Sequence, residues 1–133
     1  MPLPISQIFQ NMKQMIIVNE TLNLPTEKLA VQMAQASSGA FVEANKKDRR
    51  IWLKAGRPQI ILKALSEDDL QDFLSKAEQR KLPIYRVEDA DASPTGGIAC
   101  IGIGPACDAQ IEQLAKVLDF YVWVRQNALN GRR

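Results

Sequence analysis

The chain has 133 residues, 46% of them apolar and 24% charged, which is the balance of one globular domain rather than of a disordered segment. It contains no histidine, which excludes Ser-His-Asp and Cys-His catalysis, a histidine general base and every metal site that needs imidazole. Cys100 and Cys107 are too few for a disulfide scaffold or a four-cysteine zinc site, and 17 Lys+Arg against 15 Asp+Glu leave a net charge of +2 that neither demands nor forbids a nucleic-acid partner.

Residues 1–12 read as an N-terminal extension. Pro2 and Pro4 break regular structure, while Ile5, Ile8 and Phe9 are available to cover one side of a domain. Lys13–Val18 (KQMIIV) ends in an apolar, mostly β-branched run, the mark of a strand buried on both faces. Leu22–Pro25 reads as a loop. Thr26 then reads as an N-cap with Glu27 in the first turn, and the helix runs to about Asn45. Leu29, Met33, Ala36, Ala40 and Ala44 recur at helical spacing and form its core side. Lys46–Lys63 is the most uneven charge block, with Lys46, Lys47, Arg49, Arg50, Lys54, Arg57 and Lys63 against Asp48 alone. Inside it, Gln59–Leu65 (QIILKAL) reads as a second strand. Ser66 with Asp69 has capping-box spacing, and a helix follows to about Lys81, where Pro83 stops it.

Ile84–Val87 reads as a short strand, Asp89–Gly97 as a loop of Asp, Ser, Pro and Gly, and Ile98–Ile103 as another strand. Gly104-Pro105 reads as a turn and Asp108 as a cap. The last helix runs from Ala109 to about Gln126 and leaves a basic tail. The order β-α-β-α-β-β-α predicts a single α/β domain with a four-stranded mixed sheet flanked by helices. The short link between the last two strands suits an antiparallel pair. Residues 13–120 form the predicted domain, and residues 121–133 the helix end and tail.

Four places carry candidate chemistry. Lys28, Gln32, Gln35 and Gly39 make one stripe on the first helix, beginning beside the loop after the first strand, where open α/β sheets place their sites; periodicity alone favours a solvated polar face. Glu88, Asp89 and Asp91 put three carboxylates at a strand end, either for acid–base work or metal binding, or as a turn whose aspartates accept backbone hydrogen bonds. Gly102-Ile103-Gly104-Pro105 is a weak signal for a dinucleotide loop, because the third glycine is absent and proline donates no N–H. The basic block carries Trp52, either as a base-stacking side chain beside phosphate-binding cations or as a half-buried residue in an ordinary connection. Cys100 sits in an apolar strand as a core thiol. Cys107 lies near a helix start, where a thiol pKa can fall, but there is no histidine to partner it.

These pieces together resemble the class II peptidyl-tRNA hydrolases, the archaeal and eukaryotic type, over roughly Lys13–Phe120. Glu27-Lys28-Leu29-Ala30-Val31-Gln32-Met33-Ala34 is similar to the family's Gly-Lys-x-Ala-x-Gln-x-Ala helix start. Leu82-Pro83-Ile84-Tyr85 followed by Asp89-Ala90 is similar to its Leu-Pro, strand, Asp-Ala stretch. Ile101-Gly102-Ile103-Gly104-Pro105-Ala106 is similar to its Leu-Gly-Ile-Gly-Pro-Ala. The chain departs from the family pattern at Asn19 and Thr21, where an Arg and an Asp are usual, and at Gln35, where a His is usual. It departs again after Asp89-Ala90, where Ser93 or Thr95 stands for the threonine of Gly-Arg-Thr. The missing arginine and the added Asp91 make the mouth more acidic.

The resemblance implies hydrolysis of the ester joining a peptide to the ribose of tRNA, with no cofactor, no metal, and often a homodimer. In that reading Asp89 orients or deprotonates the water, Lys28 neutralises the oxyanion or holds a phosphate, and Gln32 hydrogen-bonds the ester or ribose. Ser93 and Thr95 complete the expected catalytic set. Lys46, Lys47, Arg49, Arg50, Lys54 and Arg57 grip the tRNA backbone without reading sequence. The rival reading is a non-catalytic descendant of the same fold that binds RNA or protein. No run of 18 apolar residues predicts a membrane span, residues 1–12 lack a secretory signature, and free cysteines suit a reducing cytoplasm, the compartment expected.

Overall fold

The computed structural model describes residues 11–91 and 97–130, with side chains of the last helix through Asp119. The elements are β1 (Met12–Asn19), a 3-10 turn (Glu20–Leu22), α1 (Thr26–Glu43), α2 (Lys46–Lys54), β2 (Gln59–Ala64), α3 (Glu67–Gln79), β3 (Ile84–Glu88), β4 (Ile98–Cys107) and α4 (Asp108–Asn130). The strands form one sheet in the order β2-β1-β4-β3, with β1 parallel to β2 and β4 antiparallel to both of its neighbours. The fold is the α/β domain with a four-stranded mixed sheet that the sequence predicts.

Strand alternation divides the core between the two faces of the sheet. Met15 and Ile17 of β1 and Ile101 and Ile103 of β4 point to one face, where Leu70 and Phe73 of α3 and Ile111, Leu114 and Leu118 of α4 close over them. Ile16 and Cys100 point to the other face and meet Ala36 and Met33 of α1 and Val87 of β3. This second layer is thin because α1 lies close to the sheet. A Cβ on Gly102 would collide with the Ala36 carbonyl, so glycine in β4 and the small residues of α1 are what permit the approach. β1 and β4 are central and buried along almost their whole length, whereas β2 alternates exposed and half-buried positions as an edge.

One polar side chain buried against α1 is fully engaged. Gln14 is completely buried; its Nε2 donates to the Ser37 and Gly104 carbonyls at 2.9 and 3.1 Å, and its Oε1 accepts from Ser37 Oγ at 2.6 Å and Gln59 Nε2 at 2.8 Å. A satisfied network of this kind fixes the register of β1, β2 and α1, because a slip would strand its donors without water.

Four local expectations are corrected. Thr26 is not the N-cap of α1: Pro25 occupies that position, with no side-chain cap, and Thr26 is the first helical residue. Ser66 does cap α3, accepting from the Asp69 amide at 3.0 Å. The segment after Glu43 is not a plain connection, because Asn45 Oδ1 accepts from the Asp48 amide at 2.8 Å and starts α2. Gly104-Pro105 is not a turn into the last helix, because β4 continues to Cys107, which pairs with Met12 of β1. Gly104 takes φ +97° at the irregularity where β1 shifts register between Lys13 and Met15, a conformation that glycine adopts without a Cβ penalty. Met12, placed in the predicted extension, is therefore strand.

Candidate active site

Asp89 follows the last residue of β3, and its amide donates to the Gly97 carbonyl at 2.8 Å, which closes the base of the β3–β4 loop. Its side chain turns under the first two turns of α1 and is 2% exposed. Lys28 and Gln32, four residues apart on one helical face, reach it together. Lys28 Nζ lies 2.8 Å from Oδ2 and 3.0 Å from Oδ1, and Gln32 Nε2 donates to Oδ2 at 3.0 Å. The Asp91 amide donates to Oδ1 at 3.0 Å. All four acceptor positions of the carboxylate are thus occupied.

The electrostatics follow from these contacts. The Lys28 hydrogen bond, then that of Gln32, holds the Asp89 carboxyl below its ordinary 3.8. The Asp89 hydrogen bond in turn raises the Lys28 ammonium above its ordinary 10.5, against the opposing effect of desolvation. The pair is an ammonium on a carboxylate throughout the neutral range. Lys28 keeps 38% of its side chain exposed and also lies 3.7 Å from the exposed Asp91 carboxylate. Gln32 is 7% exposed, and with Nε2 committed to Asp89 its Oε1 is buried without a hydrogen-bond partner. The site therefore presents a cation and an unused buried acceptor beside each other, both aimed by one anion.

The end of β1 is fastened to this end of the sheet by Asn19. Its Nδ2 donates to the Ile98 carbonyl and to a Glu67 carboxylate oxygen, each at 2.9 Å, and its Oδ1 accepts from the Thr21 amide and hydroxyl. Asn19 thus joins β1 to β4 and to the first turn of α3.

The chain matches the family model described as "Peptidyl-tRNA hydrolase PTH2" over residues 12–121. It is 35% identical over 106 residues to a peptidyl-tRNA hydrolase of Methanopyrus kandleri, covering 77% of this chain and 91% of that protein. It is 34% identical over 112 residues to one of Haloquadratum walsbyi, covering 83% of this chain and 100% of that protein. This chain belongs to the PTH2 family of peptidyl-tRNA hydrolases.

In this PTH2 member Lys28, Gln32 and Asp89 meet in one cluster, whereas the other expected site residues do not join it. Ser93 and Thr95 lie outside the described residues. Gln35 is exposed on the same helix face, one turn further along. The basic block lies beyond the far end of α1: from Lys28 to Glu43 the helix climbs roughly 22 Å. Lys46, Lys47, Arg50, Lys54 and Arg57 are exposed there. Arg49 is not free in the same way, because its guanidinium lies 5.5 Å from the Phe41 ring centroid.

Trp52 does not stack on a base. It is 4% exposed, its indole N–H donates to the Pro58 carbonyl at 2.9 Å, and its ring packs 5.8 Å from Phe41. Helical spacing in a charged segment hides this, since one apolar residue per turn suffices to bury a face. A cavity of about 560 Å³ opens between α1, α2 and β2, lined by Ile16, Met33, Phe41, Trp52 and Ile61, and none of the three clustered residues touches it. Glu88, Asp89 and Asp91 do not converge as a ligand set; among the described residues no group of three or more His, Cys, Asp or Glu is arranged to hold a metal. Burial pushes the Cys100 thiol up to about 11, which keeps it protonated and inert.

Proposed function

We propose that the chain hydrolyses the ester joining a peptide, or another acyl group, to the terminal ribose of tRNA, and that Lys28, Gln32 and Asp89 are its catalytic cluster. The observation that carries this reading is the saturated, anionic Asp89 holding Lys28 Nζ and Gln32 Nε2 at 2.8 and 3.0 Å. An acyl-tRNA ester is already reactive, so the site has only to aim a water and stabilise the charge that develops on the carbonyl oxygen. Asp89 orients the water together with Gln32, whose Oε1, buried in the free chain, has to turn out into the cleft to accept from it. The Lys28 ammonium faces the carbonyl oxygen and stabilises the oxyanion. Water adds to the acyl carbon, the bond to the ribose oxygen breaks, and the proton given up by the attacking water passes to that oxygen as tRNA leaves. Ser93 and Thr95 belong to the catalytic set in the same reading.

The exposed cations of α2 and its C-terminal end, Lys46, Lys47, Arg50, Lys54 and Arg57, have no ion-pair partner among the described residues. With Arg49 beside them they hold tRNA phosphates at a distance from the ester, which suits a substrate whose reacting end projects from a long duplex. A tRNA substrate places the reaction in the cytoplasm, and the same reading carries a homodimer, which sedimentation measures. No helix among the described residues is long and apolar enough to cross a membrane.

The deciding experiment is release of free tRNA from a purified N-acetyl-aminoacyl-tRNA. Turnover by the wild-type chain supports the proposal. Absence of turnover with salt-sensitive tRNA binding retained favours the non-catalytic reading instead. The specific observation on that side is Asp91, whose carboxylate shares Lys28 and lowers the positive potential at the mouth.

A further inference from the structure

β3 is a five-residue edge strand whose C-terminal end runs directly into Asp89. Its hydrogen bonds to β4 identify which of its main-chain groups remain. The Pro83 carbonyl accepts from the Gly104 amide at 2.9 Å, and the Asp89 amide donates to Gly97 at 2.8 Å, so odd-numbered positions face β4. Alternation then turns the N–H and C=O groups of Ile84, Arg86 and Glu88 away from the sheet. Nothing among the described residues pairs with that edge. Beside it runs a groove of about 520 Å³ between β3 and α1, bordered by Gln35, Ser38, Gly39, Tyr85 and Glu88. Gly39 shapes it, since a Cβ there would collide with the Tyr85 ring, which lies against the helix.

We propose that the peptide half of the substrate binds as an added strand on this free edge of β3. The inference rests on the hydrolase reading above and names what that site grips besides tRNA. Continuity selects the occupant. The edge ends one residue from Asp89, and the groove ends one helical turn from Gln32, so a chain lying on β3 delivers its C-terminal carbonyl to the cluster. That direction makes the added strand parallel to β3, with Arg86 N–H donating to one peptide carbonyl and Arg86 C=O accepting from the N–H two residues on. Recognition through the main chain is indifferent to side chains. The other edge strand, β2, does not serve, because it lies three strand spacings away, roughly 14 Å.

The test compares kcat/KM for tRNA esterified with one N-acetylated residue and with N-acetylated tetrapeptides of two unrelated sequences. The expected ratio of long to short is about tenfold for both sequences, the yield of two main-chain hydrogen bonds. Methylating the peptide nitrogen that meets Arg86 C=O returns the ratio to near one. Arg86→Pro, which removes an outward N–H from an edge position that tolerates proline, does the same, whereas Arg86→Ala keeps the amide and the ratio. A general loss of folding lowers both substrates alike and cancels in the ratio. A wild-type ratio near one, or a ratio that survives both Arg86→Pro and N-methylation, overturns the proposal. A gain that depends on side-chain sequence also overturns it, by placing the peptide in a side-chain pocket. If the wild type hydrolyses none of these substrates, the hydrolase reading itself fails and takes this occupant with it.

Discussion

On the α3/α4 face of the sheet, Phe73, Leu70, Ile111 and Leu114 are wholly buried against Met15, Ile17 and Ile101. On the α1 face the apolar layer shrinks to Ile16, Ala36, Val87 and Cys100 with Met33 against it, and the buried side chains around it include Gln14, Gln32 and Asp89. The contrast has a physical reason. A thick aliphatic layer supplies most of the transfer free energy and tolerates no charge. A thin layer lets a helix lie close enough for its first turns to reach a strand end, where the Asp89 carboxylate is buried with all its acceptor positions paired. The first face holds the domain together; the second positions the chemistry.

The division can be broken from either side. Phe73→Ala removes a fully buried ring from the thick face and is expected to cost about 3–5 kcal/mol of stability in denaturant unfolding, while turnover per folded molecule is preserved. Lys28→Ala on the thin face is expected to do the reverse. Hydrolysis of N-acetyl-aminoacyl-tRNA should fall roughly 10²–10³-fold, the loss seen when one oxyanion donor is removed, and circular dichroism should show the fold intact. Gly102→Ala tests the link between the faces: its Cβ pushes against the Ala36 carbonyl, so about 1–3 kcal/mol of stability should be lost. Because α1 also carries Lys28 and Gln32, kcat should fall with it, and a variant that lost stability alone would show that the close approach is not what aims the cluster.

The pH dependence sharpens the same contrast. The Asp89 carboxyl is held below 3.8, so its contribution to stability is fully present above that value and is lost as pH falls through the lower folded one. Lys28 is raised above 10.5; its contribution is present below that value and lost as pH climbs through the raised one. Neither group titrates between about pH 5 and 9. Single-turnover hydrolysis should therefore show no protonation midpoint from this pair there, and a midpoint near 6 or 7 that vanished in Asp89→Asn would contradict the assignment. The smallest expected effect is at Asp91. Its carboxylate is 90% exposed and 3.7 Å from Lys28, so Asp91→Asn should tighten tRNA binding about two- to fivefold at low salt and scarcely at all at high salt.

The sequence makes the thick face easy to read and the thin face partly so. The run Met15 to Val18 announces a central strand, Ser66 with Asp69 a helix start, and the Leu70, Phe73, Leu74, Ala77 spacing the side that α3 buries. Lys28 and Gln32 are legible as one stripe, and Asp89 as a strand-end carboxylate, but nothing local says that positions 61 and 57 residues apart in the chain will touch. Only the family pattern joins them. The break between α1 and α2 is masked because helical spacing continues across Ala44, and its local signal is Asn45 three residues before Asp48. Trp52 was hidden by the charges around it. Gly104-Pro105 reads locally as a turn, yet pairing with β1 carries the strand through it, a long-range contact overriding a short-range preference. Gln14 did carry a signal: a polar residue in a buried apolar run has to find partners, and it finds them in Ser37, Gln59 and the Gly104 carbonyl.

The most direct test of the account is the rate at which Asp89→Asn releases tRNA from an N-acetyl-aminoacyl-tRNA, compared with the wild-type chain. The substitution keeps the side chain's shape and removes the charge that aims Lys28 and Gln32. The account predicts a loss of at least about a hundredfold in kcat with tRNA binding retained through the α2 cations. Wild-type turnover in the Asn variant would contradict it and leave the buried ion pair a purely structural clasp.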